Sequence, residues 1–457
     1  MEKWNKVVVD SWVRVPRSMV STTLVDFMRV KIDGEEINLY EYDEETGELR
    51  IPRAMWKTMA KTLPLMDETV PIMDERSSVG LTTNVSQFIP RKGQAEAVEE
   101  VVAKISGVGG GILVAPCGSG KTILAVEVVL RLGVTACILV HKEFLAKQWE
   151  EAFAMLCPEI KVGRCQRDRC DTGFEYDVVV VMVQSLVASK REYSERFFNS
   201  FGILILDEIH RYGSEVWKNA IGMFPAKYRL GLTATPTRRD GFWPLMEAHI
   251  GPVLTRVKSD ELIPQVFKVT TNAFVDPEVY EYKWLDTNGQ RAKLVTALTK
   301  DSGRNAIVAR ITARAYGKGR KILVISERRM QLNDLCKLLI VGGGGRAAIP
   351  EEDIGFYVGG TLQKNLDKAA EKDILLATYS MAGEGLDIPD LDTLIMASPH
   401  YAIQQTVGRI LRQAVNFEGK AIPVVVDMVD ELIPRLNGMW FGRLKQYRKL
   451  GYEVSEE

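Results

Sequence analysis

One stretch constrains this chain more than any other: Ile112-Leu113-Val114-Ala115-Pro116-Cys117-Gly118-Ser119-Gly120-Lys121-Thr122, followed by Ile123-Leu124-Ala125-Val126-Glu127-Val128-Val129-Leu130. An apolar run that halts on small residues and resumes with helical spacing reads as strand, tight loop and helix. Glycine lets the backbone N–H groups of such a loop turn inward, and the following helix offers its positive end to the same point. The loop is therefore shaped to cradle a pyrophosphate. Gly118, Ser119 and Gly120 form the cradle, Lys121 is placed to reach the outer phosphates, and Thr122 to ligate Mg²⁺. Alanine stands at 115 where the general pattern has glycine, so this is the A-x-x-G-x-G-K-T variant. A surface turn can hold Gly-Ser-Gly-Lys-Thr by chance, but the apolar strand ahead of it argues against that.

At 457 residues the chain has room for roughly three domains, each with its own core. Its 46% hydrophobic and 26% charged residues describe an ordinary globular balance. No apolar run approaches the ~20 residues that span a bilayer, which excludes a membrane partner by that route. The opening Met1-Glu2-Lys3-Trp4-Asn5-Lys6 lacks the apolar core of a secretory signal, so a cytoplasmic location is expected. The six cysteines (Cys117, Cys137, Cys157, Cys165, Cys170 and Cys336) are scattered and fit no zinc spacing, which favours free thiols. With a net charge of −1, nothing global favours nucleic acid, and any such claim must come from local sites.

Residues 1–85 read as a small α+β accessory domain. Met28, Val30 and Ile32 alternate before Asp33-Gly34, and Ile37 and Leu39 after it, within two alternating stretches over 24–42, a strong hairpin signal. A short strand at Leu49-Arg50-Ile51 precedes Pro52 and a helical spacing of Met55, Met59 and Leu63. Residues 66–85 read as a linker. This segment has 11 basic against 15 acidic residues. Either Arg14, Arg17, Arg29, Lys31, Arg50 and Arg53 gather on one face as phosphate contacts for duplex DNA, or the surface is a mixed, solvated one.

Residues 86–255 alternate short continuous apolar strands, such as Ala136-Cys137-Ile138-Leu139-Val140 and Asp177-Val178-Val179-Val180-Val181-Met182-Val183, with helices, which predicts a doubly wound parallel sheet. Gln94, just after Phe88-Ile89-Pro90-Arg91-Lys92-Gly93, can pair both amide groups with an adenine edge, although in isolation it would be a surface glutamine. The strand Ile203-Leu204-Ile205-Leu206 delivers Asp207-Glu208-Ile209-His210 to a C-terminal strand end. Asp207 is suited to hold Mg²⁺ and Glu208 to orient and deprotonate a water.

These motifs resemble those of superfamily-two helicases of the DExH type. Asp207-Glu208-Ile209-His210 is joined by Leu232-Thr233-Ala234-Thr235-Pro236-Thr237-Arg238, by Val183-Gln184-Ser185-Leu186 and by Val140-His141-Lys142, and the resemblance covers roughly 88–430. It implies an ATP- and Mg²⁺-using enzyme, with Gln94 reading adenine and Thr233 and Thr235 linking the ATP site to the nucleic-acid strand.

Residues 256–457 read as a second lobe. Lys321-Ile322-Leu323-Val324-Ile325-Ser326 is a buried strand, and Gly342-Gly343-Gly344-Gly345 is a flexible loop without phosphate-site context. Tyr280-Glu281-Tyr282-Lys283-Trp284 is either a base-stacking surface or, as is commoner, ordinary packing. Gly383-Glu384-Gly385-Leu386-Asp387-Ile388-Pro389 and Gln405-Thr406-Val407-Gly408-Arg409-Ile410-Leu411-Arg412 resemble helicase motifs five and six. The resemblance assigns Gly385 and Asp387 to nucleotide binding. Arg409 and Arg412 lie three apart on one helical face, suited to complete the ATP site of the first lobe.

The expectation is two tandem RecA-like lobes with an N-terminal accessory domain, acting as an ATP-driven DNA helicase or translocase. The continuation Thr235-Pro236-Thr237-Arg238-Arg239-Asp240-Gly241 resembles repair and fork-remodelling helicases, and the compact layout is similar to phage branch-migration helicases of the UvsW type. The implied partners are single-stranded and branched DNA and other replication or recombination proteins, in the host cytoplasm for a phage chain. An RNA helicase and a translocase subunit of a restriction-type complex stand as alternatives.

Overall fold

The structure, a computed structural model, describes residues 6–32, 35–56, 72–91, 93–116, 119–167, 169–173, 175–187, 193–211, 214–234, 236, 241–257, 263–275, 288–342, 347–384, 388, 390–401 and 422–456. The chain divides into two compact units, Met1–Ser259 and Asp260–Glu457.

The larger sheet of the first unit contains β8 (Gly110–Val114), β9 (Ala136–Val140), β10 (Val162–Gln166), β11 (Arg169–Cys170), β12 (Val178–Met182), β13 (Ile203–Leu206), β14 (Tyr228–Thr233) and β15 (Val253–Arg256). Its order is β11-β10-β12-β9-β13-β14-β8-β15, parallel throughout except for the β10–β11 hairpin. Successive strand side chains alternate between two apolar layers. Leu113, Ile138 and Ile205 face the helices Gln94–Val108, Lys121–Leu132 and Glu143–Leu156, while Ile112, Cys137 and Leu204 face Val183–Val187, Ser214–Gly222 and Trp243–Ile250. Burial on both faces is why these strands are runs of Val, Ile and Leu without polar alternation. This is the doubly wound sheet expected of the segment.

A second, five-stranded sheet lies in the same unit: β1 (Val7–Val9), β2 (Val13–Pro16), β5 (Glu41–Asp43), β6 (Glu48–Ile51) and β7 (Ile72–Asp74), in the order β5-β6-β2-β1-β7. The hairpin predicted around Asp33-Gly34 forms from β3 (Arg29–Ile32) and β4 (Glu35–Asn38), with Val30 opposite Ile37. Two expectations need correction. Residues 22–27 are a short helix, started by Ser21 Oγ accepting from the Leu24 N–H, rather than the start of a strand. Residues 72–74, read as linker, are β7, paired in parallel with β1; three residues are too few to announce a strand. Beyond β7 the chain stays against the lobe, through Ser77 beside Ala226 and Gly80 beside Val134.

The second unit holds a seven-stranded, wholly parallel sheet: β16 (Gln265–Thr270), β17 (Ile322–Ser326), β18 (Ile354–Tyr357), β19 (Ile374–Thr378), β20 (Thr393–Met396), β21 (Val424–Val429) and β22 (Val454–Glu456), in the order β18-β19-β17-β20-β21-β16-β22. Apolar layers again cover both faces. Two buried ion pairs cross it, Arg304–Asp430 and Arg443–Asp427, each at 2.7 Å. Gly342, at φ 75°, closes the helix Arg329–Val341, and the rest of the glycine run lies outside the described residues. Among the described residues no helix is long and apolar enough to cross a membrane.

Candidate active site

The phosphate-loop side chains gather at the C-terminal ends of β8 and β13, where open parallel sheets bind their ligands. Gly120 sits at φ 81° as the residue before the helix Lys121–Leu132, and a Cβ there would lie 2.9 Å from Gln94 Nε2. Both backbone geometry and space therefore demand glycine at this position. Ser119 Oγ donates to the Pro116 carbonyl at 2.7 Å, folding the loop onto itself. Gln94 is buried: its Oε1 accepts from the Arg91 N–H and its Nε2 donates to the Ser119 carbonyl, both at 2.8 Å. The glutamine expected to face adenine thus also ties its own segment to the phosphate loop.

Lys121 Nζ lies 2.8 Å from Glu208 Oε1. Glu208 adopts φ 52°, a left-handed conformation that costs free energy in a non-glycine residue. Its other oxygen is 3.3 Å from His210 Nδ1, and that nitrogen is 3.2 Å from Thr233 Oγ1 on β14. Lys121, Glu208, His210 and Thr233 thus form one polar chain across three adjacent strands.

Asp207 is buried, and its Oδ2 accepts from the indole N–H of Trp149 at 3.0 Å. Burial, reinforced by the neighbouring Glu208 and opposed by Lys121, pushes its carboxyl up to about 6. Among the described residues, the adjacent carboxylates of Asp207 and Glu208 lie beside the Lys121 ammonium. Asp207 and the buried Thr122 hydroxyl, which accepts from Gln148 Nε2 at 3.3 Å, are hard oxygen donors of the kind Mg²⁺ takes. These residues fit that ion.

Sequence reasoning missed Trp149 and Gln148, neighbours on the helix Glu143–Leu156. Trp149 is fully buried, and nothing in its local pattern separates it from an ordinary core aromatic. Gly118, Thr235, Arg238, the 280–284 aromatic cluster, Gly385, Asp387, Arg409 and Arg412 lie outside the described residues.

Of the two readings of the basic residues in 1–85, local pairing favours the mixed surface, with Arg17 lying over the Tyr42 ring at 5.9 Å. Arg14 pairs with Asp10, Glu48 and Glu75, Arg29 with Asp26, Lys31 with Glu36, and Arg50 with Asp43. Arg53 is buried and caps main-chain carbonyls of Asp10, Gly109, Ala226 and Lys227. The acidic surplus of the segment supplies local partners for its cations. Arg229, fully buried on β14, likewise donates to the carbonyls of Ser11, Ile221, Phe224 and His249. With Leu245 and Ala248 packed into the accessory core, these two guanidiniums fasten the accessory sheet to the lobe.

A strand, a glycine-shaped phosphate loop and an acidic strand end define the class, a nucleotide-binding lobe of the phosphate-loop type. The profile of the family described as type III restriction enzyme, res subunit, matches residues 87–238. A protein of Acanthamoeba polyphaga mimivirus, named as an ATP-dependent RNA helicase, is 33% identical over 347 residues, covering 74% of this chain and 64% of that protein. The chain thus matches less than two thirds of that relative's length. The protein named DNA 3'-5' translocase XPB2 of Sulfurisphaera tokodaii is 34% identical over 172 residues, or 37% of this chain and 36% of its own. In fold, the structure of S. cerevisiae Dbp5 bound to RNA and ADP BeF3 aligns with a TM-score of 0.55 at 14% identity, covering 80% of this chain and 90% of that one. These likenesses support a superfamily-two helicase, and the two parallel sheets match the tandem RecA-like lobes of Dbp5 in fold. Likeness to ATP-dependent helicases implies ATP and Mg²⁺ at the phosphate loop.

Proposed function

We propose that this chain hydrolyses ATP to move along nucleic acid, and that its substrate is DNA, including branched DNA. The observation that carries the chemistry is the convergence of Lys121, Asp207 and Glu208 at the C-terminal ends of β8 and β13, with Lys121 and Glu208 2.8 Å apart. Lys121 binds the outer phosphates; Thr122 and Asp207 hold the metal ion. Glu208, released from Lys121 when phosphate takes its place, orients the attacking water and accepts its proton. Mg²⁺, when bound, neutralises charge on the phosphate oxygens. Arg409 and Arg412 supply further positive charge to the transferring phosphoryl group, so Arg412→Ala should cut turnover by roughly 10³.

The DNA reading draws support from the translocase name of the archaeal relative, and branch remodelling from the compact layout with an accessory sheet. The mimivirus relative's name favours a second reading, an RNA helicase. Phosphate release measured with single-stranded DNA, duplex, a four-way junction and single-stranded RNA separates them. The proposal expects strongest stimulation by DNA and ATP-dependent migration of the junction. Stimulation by RNA alone transfers the chain to the second reading.

A further inference from the structure

Two of the cysteines face one another. β10 and β11 form a hairpin at one edge of the first unit's large sheet, with Cys165 opposite Cys170 and Gln166 opposite Arg169 across a two-residue turn. The next pair outward is hydrogen-bonded, with the Asp171 N–H donating to the Arg164 carbonyl at 3.1 Å. Bonded and non-bonded pairs alternate along an antiparallel ladder, so Cys165 and Cys170 occupy a non-hydrogen-bonded position. There opposed Cα atoms stand about 4.5 Å apart and side chains approach most closely. That separation lies inside the range a disulfide bridges, about 4.4–6.8 Å. The side chains already point together, with Sγ atoms 2.6 Å apart.

We propose that Cys165 and Cys170 are a reversible dithiol–disulfide pair, closed by a disulfide oxidant such as glutathione disulfide. Cys170 is partly exposed and Cys165 is buried, which fixes the order of events. The Cys170 thiolate attacks one sulfur of glutathione disulfide, forming a mixed disulfide and expelling one glutathione thiolate. The Cys165 thiolate then attacks Cys170 Sγ, expelling the second glutathione. Two protein thiols lose two protons and two electrons, and one glutathione disulfide becomes two glutathione molecules. The staple closes over the turn that holds Arg167 at φ 51°, whose N–H donates to Ser185 Oγ at 3.4 Å in the segment following β12. Oxidation therefore fixes a turn in contact with the short helix Val183–Val187 that follows β12, in the sheet that carries the phosphate loop. A cross-strand bridge reached through the partly exposed Cys170 is open to thiol exchange and stays reduced in a reducing compartment.

The test treats the native full-length protein with glutathione disulfide, alkylates remaining thiols, and reads intact mass and tryptic peptides. Trypsin cuts after Arg167 and Arg169, between the two cysteines, so a bridge appears as joined peptides. The expected result is loss of the mass of two hydrogens, reversed by dithiothreitol, with Cys165 and Cys170 protected together. Cys165→Ser should leave a glutathione adduct on Cys170, and Cys170→Ser should give neither bridge nor adduct at this hairpin. Amide exchange across residues 162–171 should slow by about tenfold or more on oxidation. Both thiols remaining open to alkylation, both carrying glutathione without a bridge, or a bridge to another cysteine would each overturn the proposal. The wild-type measurement decides even where a variant fails to fold.

Discussion

The indole N–H of Trp149 donates to Asp207 Oδ2 at 3.0 Å, joining the core of the first lobe to its acidic strand end. A buried carboxylate with a fixed side-chain donor is held in orientation, and the donor comes from the helix Glu143–Leu156, which packs on one face of the sheet. Trp149→Phe keeps most of the apolar volume and removes that donor. It should cost about 1–3 kcal/mol of stability and raise the Mg²⁺ concentration needed for half-maximal phosphate release several-fold. Urea unfolding and a metal titration check the two parts; an unchanged metal dependence sinks the positioning role.

The Lys121–Glu208 pair separates binding from chemistry. Lys121→Ala should weaken nucleotide binding by at least about tenfold, whereas Glu208→Gln should bind ATP within a few-fold of wild type and lose about 10² or more of turnover. A fluorescent-nucleotide titration beside phosphate release distinguishes them. Normal turnover by Glu208→Gln would falsify its role as the base.

Asp207 makes a prediction about pH. Its carboxyl is raised to about 6 in the fold, against about 4 in the unfolded chain, so between those values the native state binds more protons and stability falls as pH rises. Asp207→Asn keeps an acceptor for Trp149 and removes the charge. It should flatten that slope and stabilise the protein at pH 7 by on the order of 2 kcal/mol. Melting temperatures between pH 4 and 7 provide the check.

His249 acts with the opposite sign. Burial, with Arg229 and Lys218 nearby, pushes its imidazole down to about 3, and the ring packs edge-on against Trp12 with centroids 5.1 Å apart. The unfolded chain binds the proton first, so stability is full above about 6.5 and is lost as pH falls towards 3. His249→Phe should remove this component, worth about 2 kcal/mol at pH 5. An acid-unfolding midpoint that does not move would rule it out.

Arg229→Met should be strongly destabilising, by about 3 kcal/mol or more, because it leaves the carbonyls of Ser11, Ile221, Phe224 and His249 without their shared donor. The loss should appear in one cooperative transition by both calorimetry and tryptophan fluorescence, since the accessory sheet and lobe share a core. A separate early transition would show that the accessory sheet melts alone.

Patterns local in sequence were legible, and partnerships made across the fold were not. Apolar strands of Val and Ile, the glycine before Lys121 and the Asp-Glu strand end each write their structure into a few adjacent residues. The sequence-based list of basic residues in 1–85 treated charge as free surface. Arg53 is instead a buried cap for carbonyls more than 170 positions away at Ala226 and Lys227, which no window of sequence can display. Gln94 was read for its outward partner alone, although its nearer partner is the Ser119 carbonyl. Cys165 and Cys170 looked scattered because their spacing gains meaning only once a two-residue turn between them is known.

The fastening of the accessory sheet through Arg53 and Arg229 has a consequence for how this architecture can diverge. Both guanidiniums grip main-chain oxygens, and every amino acid supplies the same oxygen. Substitutions at Ser11, Phe224, Ala226 or Lys227 that keep the backbone path leave the attachment intact, while the two arginines themselves have no interchangeable neighbour. Lineages carrying this appendage are thus free to vary the residues whose carbonyls are gripped, provided that the two arginines and the shared apolar core hold.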